Sequence, residues 1–102
     1  MSLVNKDSLL RQVLQMVADI EPPAGIELLS YKRNRRVSVI AGPGTYVTVR
    51  ERGYEELDTI VEREELSRTM KSIIKREFPR SRKIRLQKFS DPEELDRPRK
   101  KL

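Results

Sequence analysis

The chain reads as an α+β protein, with two helices packed on one face of an antiparallel, four- to five-stranded meander sheet. Three observations lead there. Segments 6–20 and 63–78 carry apolar residues at three- and four-residue intervals, the repeat of an amphipathic helix. Between and after them, short segments alternate apolar and polar residues and are separated by glycine, proline and asparagine turns. Hydrophobic residues make up only 36% of the chain against 37% charged, so most residues lie at the surface of a thin, two-layer structure. At 102 residues the chain suits one domain with a core that needs no staples.

The first helix is expected over 6–20, where Leu9, Leu10, Val13, Leu14, Met16, Val17 and Ile20 share a face. Asn5 or Asp7 can cap its first amides, and Pro22-Pro23 stops it because proline cannot donate a helical hydrogen bond. Ile26–Tyr31 is the first strand, and Lys32-Arg33-Asn34-Arg35 turns the chain. Arg36–Ala41 returns with Val37, Val39 and Ala41 on one side. Gly42-Pro43-Gly44 makes a tight connection, since glycine permits positive φ and proline fixes its own. Thr45–Glu51 alternates again, with Val47 and Val49 inward, and Arg52-Gly53 turns.

Tyr54–Val61 fits either a strand or the start of the following helix; Thr59-Ile60-Val61 favours the strand. The second helix is expected over 63–78, with Leu66, Met70, Ile73, Ile74 and Phe78 as its stripe. Acids near its start and Lys75 and Arg76 near its end complement the helix dipole, and Pro79 ends it. Lys83–Phe89 is the last strand, with Ile84 and Leu86 inward. Residues 1–90 then form the domain, and 91–102 a short turn and a mobile basic tail.

The resulting order, α-β-β-β-β-α-β, is similar in topology to the half-repeat of TATA-binding-protein-like folds. Those folds bind nucleic acid on a sheet face. The likeness is of element order alone, with no matching motif, and it implies that an open sheet face is where such a contact would form.

Composition excludes several chemistries. With no cysteine there is no disulfide, thiolate metal site or thiol nucleophile. With no histidine the usual general base and commonest metal ligand are missing. No cofactor is expected. Gly42-Pro43-Gly44-Thr45 lacks the lysine and spacing of a phosphate loop and reads as a turn. The acids between Glu51 and Glu65 could supply carboxylates for a metal or for acid–base work, but nothing fixes the separation of any two. An enzyme is therefore not expected. No apolar run reaches a membrane span and no signal-peptide pattern opens the chain, so no membrane partner and a cytoplasmic location are expected.

The charge is +6, from fourteen arginines and eight lysines against sixteen acids. A charge-rich surface also suits a heat-adapted, thermostable protein held by ion-pair networks. The placement of the cations says more than their number. Lys32, Arg33, Arg35 and Arg36 crowd one hairpin tip, where either a solvated turn or a phosphate contact accommodates them. At ~100° per residue, Arg68, Lys71 and Lys75 fall opposite the apolar arc of the second helix. That arc is either an ordinary wet face or a ridge that tracks phosphates.

Arg82 and Arg85 lie around the last strand. Arg85 would share an uncovered sheet face with Arg36, Tyr46 and Arg50, and with Ser38, Thr48, Gln87 and Ile40. Tyr46, with Tyr31 from the first strand, among these arginines suits single-stranded nucleic acid, through stacking and phosphate pairing. The same face with Ile40 in it suits a dimer interface equally well.

The expected function is a small basic nucleic-acid-binding module, for RNA or single-stranded DNA, mainly electrostatic and of low sequence specificity. The alternative is a protein-interaction module: a homodimer or larger homo-oligomer through the sheet face or an edge strand, or a binder of an acidic protein. The candidate contacts are Lys32, Arg33, Arg35, Arg36, Tyr46, Arg50, Arg68, Lys71, Lys75, Arg82 and Arg85.

Overall fold

The computed structural model describes residues 2–30 and 35–91. The hairpin-tip residues Lys32 and Arg33, and the basic tail from residue 92 on, lie outside the described residues. The elements follow in the order β1 (Ser2–Asn5), α1 (Lys6–Asp19), β2 (Gly25–Leu29), β3 (Arg36–Ala41), β4 (Tyr46–Arg52), β5 (Glu56–Glu62), α2 (Leu66–Glu77) and β6 (Lys83–Phe89). A single 3-10 turn, Arg63–Glu65, leads into α2. The class is as expected: α+β, with an antiparallel sheet and both helices on one side of it.

The strand count and order differ from the expectation. The sheet has six strands in the spatial order β1-β6-β2-β3-β4-β5. Strands β2 to β5 form the meander, while β6 inserts between β2 and β1. The unanticipated β1 is four residues long, too short to show an alternating pattern. It is a strand because β6 offers it an edge, with Val4 opposite Ile84. The segment 54–61 is a strand, as favoured, with residues 56–62 in β5.

Side-chain alternation sends Ile26, Leu28, Val37, Val39, Ala41, Val47, Val49, Ile84 and Leu86 to one face. There they meet Leu9, Val13 and Val17 of α1 and Leu66, Met70, Ile73, Ile74 and Phe78 of α2 in a single core. Asn5 occupies the N-cap position of α1 without a side-chain bond. The amide of Lys6 instead donates to the Arg82 carbonyl at 2.8 Å, which ties the start of α1 to the start of β6.

Arginines close both helix C-termini, where carbonyls lack intrahelical donors. Arg63 donates to the Val17 and Ile20 carbonyls at the end of α1. Arg35 donates to the Glu77 carbonyl at the end of α2, at 3.0 Å. Gly44 has φ of 65°, the left-handed backbone anticipated for the connection between β3 and β4.

The sheet face away from the helices carries a thin apolar layer of its own. Phe89 packs with Ile40 in a small second cluster. Its ring lies so close over Gly25 that an added Cβ would stand 2.5 Å from it and would also collide with the Val39 carbonyl. This close approach explains glycine at a position where every neighbour in the strand is buried.

Candidate nucleic-acid interface

The expected site residues divide between opposite faces of the domain. Arg36, Tyr46, Arg50 and Arg85 share the face without helices. Strand register sets Arg85, Leu29, Arg36 and Arg52 in one row, and Gln87, Glu27, Ser38, Arg50 and Asp58 in the next. Arg68, Lys71 and Lys75 stand on the exposed side of α2, on the other side of the molecule. Arg35 is committed to the α2 C-terminus, and Arg82 is exposed in the connection before β6.

The sheet face is an interleaved ionic network. At its centre Glu27 is fully buried, although no helix covers this side. Gln87 Nε2 donates to Glu27 Oε1 at 2.6 Å, and Arg36 Nη1 lies 3.8 Å from Glu27 Oε2. Arg52 donates to Asp58 Oδ1 at 2.8 Å, with Arg50 Nε 3.8 Å from the same oxygen. The Arg52 hydrogen bond holds the Asp58 carboxyl below its ordinary value, with the charges of Arg52 and Arg50 adding to it. Tyr46 stands opposite Glu62. It is four residues from Arg50, about 13 Å along the strand. Tyr31, the other tyrosine expected to stack on bases, lies outside the described residues.

The cations on α2 are placed differently. Arg68, Lys71 and Lys75 are exposed and make no ion pair among the described residues. Helical rise spreads them over roughly 10 Å. Beyond the helix, Arg80 and Arg82 border a cleft of about 550 Å³ that is also lined by Asn5, Lys6, Asp7, Pro79 and Ser81. Lys6 Nζ donates to the Pro79 carbonyl at its rim.

A second ionic cluster joins β4 to the end of α2. Arg76 makes a bidentate pair with Glu51, Nε to Oε2 at 2.9 Å and Nη2 to Oε1 at 2.7 Å. The Glu77 carboxylate accepts the amides of Tyr54 at 2.8 Å and Glu55 at 3.1 Å, clamping the β4–β5 turn. Both carboxylates are buried. Burial pushes Glu77 up, and its hydrogen bond with Glu51 adds to this. Burial also pushes Glu51 up, but the hydrogen bonds from Arg76 and Glu77 outweigh it and leave Glu51 below its ordinary value. The Glu51 hydrogen bond holds Arg76 above its own.

Two of these roles were legible in the sequence. Glu77 falls on the apolar arc of α2 at helical pitch, and Glu51 continues the inward series Val47, Val49. Glu27 left no such signal, because alternation assigns it to the side without helices. No group of three or more metal-ligating side chains occurs among the described residues. No helix among them is long and apolar enough to cross a membrane.

Comparison with known proteins returned no match: no family model, curated protein or solved structure is similar to this chain. None of these comparisons supports the topological likeness to TATA-binding-protein-like half-repeats, and the observed element order departs from the one on which it rested.

Proposed function

We propose that this chain is a small nucleic-acid-binding module that contacts RNA or single-stranded DNA through the exposed side of α2 and the connection after it. One observation carries the reading. Arg68, Lys71 and Lys75 are exposed with no carboxylate partner among the described residues, while Arg36, Arg50 and Arg52 face Glu27 and Asp58. Cations grouped on one helix face repel one another, and a polyanion relieves that repulsion by displacing its own counterions. Arg80 and Arg82 extend the same charge past the helix end.

Contacts of this kind fix position on a backbone and carry no base identity. No asparagine or glutamine lies within α2 to read a base edge, so low sequence specificity follows. The mechanism is binding by charge, with no proton transfer or nucleophile assigned.

The test is titration of a labelled oligoribonucleotide at low salt, followed by fluorescence anisotropy. Replacing Lys71 and Lys75 together by glutamate should abolish binding and leave the melting temperature nearly unchanged, since both side chains are exposed. Absence of wild-type binding at low salt, with RNA and with single-stranded DNA, overturns the reading.

A further inference from the structure

The edge strand β5 is unusual in what it leaves in water. Of the five large hydrophobic side chains exposed in the described structure, four lie on or beside it: Ile60 at 71%, Tyr54 at 70%, Leu57 at 50% and Tyr46 at 48%. Register places Ile60 on the face without helices and Leu57 on the helix face, so the strand presents an apolar side chain on each side. β5 is also seven residues long and pairs only with β4, so the amides and carbonyls of every second residue point away from the sheet. A long edge with exposed apolar side chains is a template for another strand.

The charge of this edge selects the occupant. Glu55, Glu56 and Glu62 flank the apolar residues, and Glu64 follows, none in an ion pair among the described residues. A second copy of β5 is a poor partner. Antiparallel pairing centred on Thr59 sets Glu56 against Glu62, centring on Ile60 sets Asp58 against Glu62, and centring on Asp58 opposes that residue to itself. Like charges directly opposite across strands are destabilising.

We infer that β5 is a strand-addition site for an extended basic segment of a partner protein, one that alternates lysine or arginine with aliphatic residues. Main-chain hydrogen bonds would extend the sheet by one strand. Side chains of an added strand alternate between the two faces, so its cations would meet Glu56 and Glu62, with their methylene stems over Ile60, while its aliphatic side chains would cover Leu57 on the helix face. This site stands apart from α2 and does not depend on nucleic-acid binding there. It also gives the acids a use, because an anionic edge repels nucleic acid and attracts a cationic chain.

The experiment uses the full chain and a synthetic peptide alternating lysine with valine, labelled for anisotropy. A second peptide of identical sequence is N-methylated at every amide, which keeps charge but removes the donors of both strand edges. The expected result is binding of the first peptide only. Leu57→Ser should weaken it roughly tenfold, as loss of an aliphatic contact on the helix face requires, with the melting temperature nearly unchanged because Leu57 is half exposed. Glu56→Lys with Glu62→Lys should weaken it as well. Absence of binding at low salt overturns the inference, as does equal affinity for the methylated peptide, which would indicate plain charge attraction. Sedimentation of the wild type as an oligomer that Ile60→Asp dissociates also overturns it, because the edge would then belong to a second copy.

Discussion

Replacing Glu77 by alanine separates the buried carboxylate clamp from ordinary surface charge. The side chain holds the Tyr54 and Glu55 amides at 2.8 and 3.1 Å and lies within the apolar arc of α2. Removing it leaves two amides without their acceptor, at about 1 kcal/mol each because water can reach the exposed turn. The vacated volume adds about 1 kcal/mol, and at a pH where both carboxyls are ionised, relief of the Glu51–Glu77 repulsion returns a similar amount. A net loss of about 2 kcal/mol lowers the melting temperature of a domain this size by about 8–16 °C. Glu77→Gln keeps a carbonyl acceptor and can donate to Glu51 as the protonated acid does, so its cost should stay below about 1 kcal/mol.

The pH dependence has a definite sign. Because the folded-state pKa of Glu77 is raised, first by burial and then by Glu51, its stabilising contribution is complete below the ordinary glutamate value. It is lost as pH rises through the raised value. Wild type should therefore lose stability relative to Glu77→Gln on the alkaline side of the ordinary glutamate range. Urea denaturation across pH, with a constant slope on denaturant, measures both effects. An alanine variant within about 0.5 kcal/mol of wild type, or a pH-independent difference between wild type and Glu77→Gln, refutes the reasoning.

Three further outcomes follow from the same geometry. Arg76→Met leaves the buried Glu51 carboxylate without its bidentate partner and should cost about 2–3 kcal/mol by urea denaturation, less than for a deep pair because Arg76 sits at the rim. Its cost should shrink at low pH as Glu51 takes up a proton, since a depressed folded-state pKa gives stability that is lost as pH falls through that value. Gly25→Ala drives a methyl group into the Val39 carbonyl and the Phe89 ring and should cost about 1–3 kcal/mol, read as a lowered thermal midpoint. Asp58→Asn breaks a solvent-exposed pair with Arg52 and should change stability by less than about 1 kcal/mol despite the short 2.8 Å contact, as a thermal melt would show.

Periodicity made the fold legible where burial is one-sided. The stripe of α2 and the alternation of β3 and β4 follow directly from which residues must leave water. β1 was hidden because its formation depends on β6, which lies far away in sequence. The inserted position of β6 was hidden for the same reason, since alternation says which face a residue takes but not which strand lies beside it. Alternation alone places Arg36, Arg50 and Arg85 on one face, but the pairing of Arg36 with Glu27 and of Arg50 with Asp58 depends on tertiary register. For α2 the exposed arc was readable from helical pitch alone. That its cations make no ion pair among the described residues, Arg68 included although Glu64 and Glu65 lie one turn before it, required the three-dimensional positions.

The salt dependence of oligonucleotide affinity tests the role of α2 most directly. Single-stranded binding that neutralises three or four phosphates gives a slope of log K against log salt of about −2 to −3. Replacing Arg68, Lys71 and Lys75 together by glutamine should reduce that slope by about 2 and leave the fold intact. A triple variant whose slope and affinity match those of the wild type would contradict the assignment of α2 as the contact surface.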